Sequence, residues 1–437
     1  MSKKNTSKNN RGIKSYIKYK FTLLILILAT IGMTGVIITK AAIAYIAFEA
    51  EDSTVLNAGA LKVDDISASA GSAISFSAGN GIGSPGIYVK GNKLVNGIGE
   101  EVLLHGVNKM GSEYACIDGW GIFDGPTDQA SINVMKTWNI NAVRITMNSV
   151  CWNNGPTNQF SSYNPAYAGT NYKNAIKNYV NLLVQNGIHP ILDLQWVGCG
   201  TGACKANWIK VMPDRPGAVN FWADVGATFK DNKAVLFDLY NEPQNPGWQC
   251  WRDGGCIAYQ GEPGQYTMAG MQELVSAVRS AGAITQPIML GGLQYSNDVS
   301  GWLQYKPNDP SNSLATSVHL YNFNYPCPTS VSGASTGTPS QTIQCFTSGN
   351  NDITQVKANH PVIFGELGQH TCDTTYVAPM LDWILTNKFS VLGWTWNTGS
   401  CASIPSLIAD WNGNPSGIGV AFKNQYLNKY PTWQGIK

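Results

Sequence analysis

From residue 88 onward the chain repeats one pattern. A short run of apolar, often β-branched residues is followed by a stretch in which apolar positions recur every three or four residues. The runs cover residues 102–108, 142–148, 189–196, 235–243, 287–293, 315–322, 361–367 and 391–397. Unbroken apolar runs suit strands buried on both faces, as in a parallel sheet. Between them, residues 172–186 place Ile176, Tyr179, Val180, Leu183 and Val184 on one helical face, and residues 221–229 and 268–281 follow the same period. Eight such strands alternating with helices predict an α/β fold, a closed (β/α)8 TIM barrel over residues 88–437.

The start of the chain has a different texture. Residues 1–20 hold Lys3, Lys4, Lys8, Arg11, Lys14, Lys18 and Lys20 and no acid, and residues 21–39 carry no charge at all. A basic head before an apolar run reads as an export signal or a signal anchor. The run is just long enough to cross a bilayer, which takes about 20 residues. Ala42-Ile43-Ala44 offers a small-residue cleavage site, so both readings stay open. The expected organisation is a basic cytoplasmic head over 1–20, a signal peptide or membrane anchor over 21–47, a spacer over 48–87, and the barrel. Either way the remainder is expected to be extracellular, secreted or tethered to the outer side of the cell membrane. The spacer is rich in Ser, Ala and Gly and reads as a flexible connector, with residues 73–76 as one strand. Its Glu49-Ala-Glu-Asp52 opening also resembles the start of a carbohydrate-binding module, of which it would be only a remnant.

Composition narrows the partners. Hydrophobic residues make up 43% of the 437 and charged residues only 13%, so the surface relies on neutral polar groups. Residues 1–40 contain eight of the 29 basic residues and no acid; the rest balances 21 basic against 27 acidic residues, or −6. That excludes the basic footprint of a nucleic-acid binder. Ten cysteines in an exported chain predict disulfides. Many pairings are possible; loop spacing favours Cys199–Cys204, Cys250–Cys256, Cys327–Cys345 and Cys372–Cys401, leaving Cys116–Cys151. No Cys or His spacing fits a metal site, so neither metal nor cofactor is expected. Gly333-Ala-Ser335-Thr-Gly337 and Gly81-Ile-Gly83-Ser-Pro-Gly86 match catalytic and dinucleotide-binding patterns, but neither has the required strand and helix around it.

Functional groups of such a barrel gather where strands end at its top face. The fourth run ends Asp238-Leu-Tyr-Asn241-Glu242-Pro243, and the seventh ends Phe364-Gly365-Glu366-Leu367-Gly368. Each stays largely apolar until a carboxylate appears near its tip. Two carboxyls facing one another across a sugar can hydrolyse a glycosidic bond, one as proton donor and one as nucleophile, when they stand roughly 5–5.5 Å apart. Glu242 is therefore expected to be the acid/base and Glu366 the nucleophile, whose charge holds the proton on Glu242 before attack. Trp120, Trp152, Trp248 and Trp251 lie in expected top-face loops, and at least one is expected to line a sugar-binding cleft.

Asn241-Glu242-Pro243 after an apolar strand, Glu366 on the seventh strand, His105-Gly-Val-Asn108, Asn141-Ala-Val-Arg144, His319-Leu-Tyr321 and Gly393-Trp-Thr-Trp396 occur here in order. Together they resemble the cellulase family of glycoside hydrolases (family 5), over residues 88–437. The resemblance implies that Arg144 keeps Glu366 ionised, that Asn241 binds the sugar 2-hydroxyl, that His319 and Tyr321 orient substrate and nucleophile, and that Trp394 is a stacking floor for one ring. One position departs from it. Where the family commonly carries His near the end of the third strand, this chain has Asp193-Leu194-Gln195-Trp196, and Gln195 hydrogen-bonds but does not titrate. His189, at the start of that strand, is expected to face the barrel bottom.

The expected function is thus a retaining endo-β-1,4-glucanase (cellulase) acting on β-linked polysaccharide as a monomer. A β-mannanase or other β-glycanase is the alternative within the class, and a non-catalytic surface polysaccharide-binding protein the alternative outside it.

Overall fold

The computed structural model describes residues 60–64, 72–76, 86–154, 164–198, 209–259, 265–323, 337–348, 351–431 and 435–436. The basic head, the apolar run of 21–39, the opening at 49–52, Cys199, Cys204 and Cys327, and most of both set-aside glycine motifs lie outside these. Among the described residues no helix is long and apolar enough to cross a membrane.

The chain divides after residue 81. The first unit contains an antiparallel hairpin of β1 (Ala60–Asp64) and β2 (Ser72–Phe76), the latter covering the strand expected at 73–76.

In the second unit β3 (Ile87–Lys90) pairs antiparallel with β4 (Lys93–Asn96). Eight parallel strands then close into a barrel: β5 (His105–Lys109), β6 (Ala142–Asn148), β7 (His189–Trp196), β8 (Leu236–Asp238), β11 (Ile288–Gly291), β12 (Leu314–Tyr321), β13 (Val362–Gly368) and β14 (Ser390–Gly393). A small hairpin, β9 (Ile257–Tyr259) with β10 (Gln265–Thr267), interrupts the series after β8. All eight apolar runs became barrel strands, in order. The three expected helices occur at Thr170–Gln185, Arg215–Phe229 and Met271–Ser280. The second begins where the Asp214 carboxylate accepts from the Gly217 N–H with Pro216 in the first turn, a standard arrangement for a helix start.

Strand alternation organises the interior. Val143, Ile145, Leu192, Leu194, Phe237, Val318 and Phe364 belong to the large apolar core shared with the helices. Their neighbours Ala142, Ile191, Leu236, Met289, Ala315, Ile363 and Leu392 form a separate apolar layer inside the barrel, together with Ile87 and Leu94 of the β3–β4 hairpin. That layer is buried, with Ile191 fully so, and a truncation such as Ile191→Ala should cost about 2–5 kcal/mol. Two residues further along β6, β7, β8 and β12 the same inward face carries Arg144, Asp193, Asp238 and Ser317, all fully buried. The barrel therefore changes from hydrocarbon to charge within one repeat, towards the C-terminal ends of its strands.

Disulfides join Cys250 to Cys256 and Cys372 to Cys401, as loop spacing favoured, and Cys116 to Cys151, the pair left over. Cys345 is also disulfide-bonded. The pairing expected for it, with Cys327, and the Cys199–Cys204 pair involve residues outside those described. His189 is buried at the foot of β7, with Nδ1 3.1 Å from the Ala234 carbonyl oxygen.

Candidate active site

Arg144, at the centre of β6, is the hub of the charged layer. Its Nε donates to Asp238 Oδ2, one Nη to Glu366 Oε1 and to Asn108 Oδ1, and the other Nη to Asn241 Oδ1, at 2.9–3.0 Å. Asp193 Oδ1 lies 2.9 Å from the same guanidinium. Burial opposes this cation, but the carboxylates of Asp193, Asp238 and Glu366 outweigh it and keep Arg144 charged. Its partners in turn brace the barrel: Asn108 donates to the carbonyl oxygens of Gly365 and Gly393.

Glu366 faces the cleft because β13 is irregular. Val318 pairs with Phe364, but the next residue, His319, pairs with Glu366, so Gly365 is an extra residue in the strand. Such a bulge re-aims the side chain that follows it. A Cβ on Gly365 would stand 2.4 Å from Ser317 Oγ and 3.1 Å from His319 Nε2, so only glycine fits there. Glu366 Oε1 takes the Arg144 hydrogen bond, and Oε2 accepts from the Tyr321 hydroxyl.

Glu242 lies four residues past the end of β8. The intervening backbone stays in line through Leu239 N–H to Met289 O and Asn241 N–H to Leu194 O. His319 Nδ1 stands 3.0 Å from Glu242 Oε1 and 3.6 Å from Glu366 Oε1. One oxygen of each carboxyl and one nitrogen of His319 lie within 4.8 Å of one another. Three such atoms offer ligands to a metal ion, but a divalent ion there would also face the Arg144 guanidinium, 2.9 Å from Glu366. The trio suits proton transfer better than metal ligation.

Burial raises Glu242 far above the ordinary carboxyl range, and the charge of Glu366 adds to that while Arg144 opposes it. Glu366 is also raised by burial, to about 7, against the pull of Arg144 and of the Tyr321 hydroxyl. Glu366 thus gives up its proton first and Glu242 keeps its own. Burial, followed by the charge of Arg144, pushes His319 well below its usual range, so its ring is neutral.

A cleft of about 560 Å³ opens above these groups, lined by Gln195, Ile209, Glu242, Tyr295, Tyr321, Phe323, Glu366, His370 and Trp394. All eight residues singled out from the sequence converge here. Glu242, Glu366, Gln195, Tyr321 and Trp394 form the wall; Arg144, Asn241 and His319 lie beneath it, buried. Asn241 Nδ2 and Gln195 Oε1 are buried without a hydrogen-bond partner. Of the four tryptophans, Trp152 and Trp251 are fully buried, and none of the four lines this cleft; Trp120 is 50% exposed beside Tyr114. Sequence reasoning missed Ile209, Tyr295, Phe323 and His370 in the wall. It also missed a buried cluster at the end of β5, where Lys109 donates to the Asp124 carbonyl oxygen and Glu113 accepts from the Gly111 N–H and the Thr146 hydroxyl.

Residues 95–400 match the cellulase family, glycosyl hydrolase family 5. The chain belongs to glycosyl hydrolase family 5. Two curated relatives are similar to it: Endoglucanase A of Butyrivibrio fibrisolvens, 25% identical over 244 residues, and Endoglucanase gh5-1 of Neurospora crassa, 26% identical over 230. The matches cover 54% and 49% of this chain and 45% and 50% of the relatives, so it spans about half the length of each. Among solved structures, a β-glucanase from Saccharophagus degradans superposes with a TM-score of 0.56 at 17% identity, over 80% of this chain and 95% of that one. The endocellulase of the archaeon Pyrococcus horikoshii gives 0.57 at 20% identity, over 79% and 98%. At these identities the likeness shows a shared fold and no more.

Proposed function

We propose that this family-5 enzyme is a retaining endo-β-1,4-glucanase acting outside the cytoplasm, with Glu242 as acid/base and Glu366 as nucleophile. The observation that carries the reading is the approach of the two carboxyls to within 4.8 Å. Inverting glycosidases hold theirs roughly 6.5–9.5 Å apart to admit a water. Glu366, ionised and held at both oxygens, attacks the anomeric carbon while Glu242 gives its proton to the departing oxygen. Once Glu366 is esterified, its charge no longer raises Glu242, which then takes a proton from water. Glu242 has 14% of its side chain exposed against 3% for Glu366, which favours its access to that water. The unpaired Nδ2 of Asn241 is suited to the 2-hydroxyl, and the half-buried face of Trp394 to one ring.

A glucan is the favoured substrate because both relatives are endoglucanases and the Saccharophagus degradans β-glucanase has been solved with cellotetraose. Export is supported by the disulfides, which persist in oxidising compartments, and by the basic head and apolar run. The test is release of reducing ends from soluble β-1,4-glucan and β-mannan by the wild type and Glu366→Gln. Wild-type activity on glucan, lost in the variant while the fold is kept, is expected. Turnover of mannan alone would move the enzyme to the neighbouring class, and binding without new reducing ends would leave a polysaccharide-binding protein.

A further inference from the structure

At the foot of the barrel, the end away from Glu366, a cavity of about 220 Å³ opens beside the N-terminal ends of β13 and β14. Its apolar lining includes Leu94 and Phe389, both buried. Its charged lining is Lys93, Lys357, Lys388 and a single acid, Glu101. Three cations against one acid run counter to the rest of the chain, which beyond residue 40 carries 27 acidic residues against 21 basic.

The three ammonium groups are short of counter-charge. Lys93 Nζ pairs with Glu101 Oε2 at 2.9 Å. Lys357 Nζ donates to a neutral acceptor, the Asn387 carbonyl oxygen, and lies 4.3 Å from the centre of the Phe389 ring. Among the described residues the Lys388 ammonium has neither a hydrogen bond nor an ion pair. Burial holds Lys357 below the usual lysine range; Glu101 counters this, and the charges of Lys388 and Lys93 add to it. The cations thus repel one another across the cavity, and low-dielectric walls concentrate their field there.

Helix ends explain only part of this. Carbonyl groups at a helix C-terminus favour cations, and Lys357 and Lys388 close the helices Ile353–Lys357 and Val377–Thr386. Lys93 has no such reason, because it belongs to β4. Nor does the residue type at 388. Lys388 has a φ of +55°, and its N–H and that of Phe389 donate to the Leu385 and Ile384 carbonyl oxygens. Glycine is the usual residue in that helix-ending turn, since a Cβ is strained there. The chain keeps a lysine against that strain, and its side chain stands in the cavity wall.

We propose that this cavity binds a doubly charged phosphate group, free or carried as a monoester. Its oxygens would accept from Lys93, Lys357 and Lys388 together, and its charge matches the surplus of three cations over one acid. The site is remote from the carboxyl pair and stands whether or not the glucanase reading does.

The test is calorimetric titration of the wild-type protein with inorganic phosphate and, separately, with glycerol 3-phosphate. Low ionic strength and about pH 8 keep both probes doubly ionised. Saturable one-to-one binding of at least one probe is expected. Lys388→Asn removes the ammonium but tolerates the left-handed backbone, and should weaken that binding ~10- to 100-fold, the range for one hydrogen bond to a charged group. Lys177→Gln, which removes an exposed lysine from another surface, should leave it unchanged. Binding that includes the ester assigns the site to phosphoryl groups on larger molecules, and binding of inorganic phosphate alone assigns it to the free ion. No saturable binding of either probe, an unchanged affinity in Lys388→Asn, or an equal loss in Lys177→Gln would overturn the site.

Discussion

Arg144 and Asn241 are joined by one hydrogen bond, Nη2 to Oδ1 at 2.9 Å, and it decides which end of the amide faces the cleft. The donor Nδ2 is left buried and unpaired. A hydroxyl arriving there satisfies it, and such contacts tighten towards the transition state. Asn241→Ala should therefore lower kcat/KM on cello-oligosaccharides by ~10²-fold. On a substrate lacking the 2-hydroxyl of the cleaved ring, wild type and variant should converge; a full loss on that substrate would separate Asn241 from the 2-position.

Tyr321 bears on the acid limb of the pH profile. Its hydroxyl donates to Glu366 and favours the ionised form. Tyr321→Phe removes that bond and should raise the Glu366 pKa, moving the acid limb of kcat/KM to higher pH. The basic limb, which reports Glu242 under the proposed roles, should move much less. A profile shifted to lower pH would contradict the assignment of Glu366.

Arg144→Lys should be far from conservative. A lysine cannot span Asp193, Asp238, Glu366, Asn108 and Asn241 at once, so buried carboxylates lose their partner. Breaking a buried ion pair on one side costs about 3–5 kcal/mol. Chemical denaturation should show a loss of that order, together with near-complete loss of hydrolysis. Stability within 1 kcal/mol of wild type, on the order of ordinary surface changes, would show that the hub is dispensable.

Glu113 gives a stability prediction with a definite sign. Burial raises its carboxyl from 4.5 to about 7, although Thr146, Gly111 and Lys109 pull the other way. The folded state then binds this proton more tightly than the unfolded state. The resulting stabilisation is complete below about pH 4.5 and is lost as pH rises through about 7, some 3 kcal/mol by linkage. Glu113→Gln carries no such proton. Denaturant unfolding at pH 4 and pH 8 should show a larger drop for wild type than for the variant, and equal drops would dismiss the shift.

The strands were legible because a parallel barrel buries both faces of each, and few other arrangements leave eight β-branched runs at this spacing. Glu242 and Glu366 were legible as acids at the ends of such runs. The bulge that turns Glu366 inward was not: strict alternation from Ile363 places residues 363, 365 and 367 on one face, and only Gly365 hints at the extra residue. Asp193 and Asp238 stood in plain view within their strands, but their pairing with Arg144 depends on which strands become neighbours across the barrel. The left-handed turn at Gln294–Tyr295–Ser296 was invisible because none of the three is a glycine, asparagine or aspartate. Its conformation comes from Asn241–Gln244, some fifty residues earlier, whose carbonyl oxygens accept hydrogen bonds from it. Tryptophans mislead for the opposite reason: Trp152 and Trp251 lie in loop-like sequence but fill the core, as large apolar rings generally do.

The three defined disulfides all belong to the loops and short helices beyond the strand ends, Cys116 to Cys151 after β5 and β6, Cys250 to Cys256 after β8, and Cys372 to Cys401 after β13 and β14. None crosses the hydrocarbon layer at the opposite end. A recombinant host with a reducing interior would consequently yield material whose circular dichroism looks native while the rim of the mouth is slack. Yield and solubility would then be poor guides to a usable preparation, and titration of free thiols the better quality check.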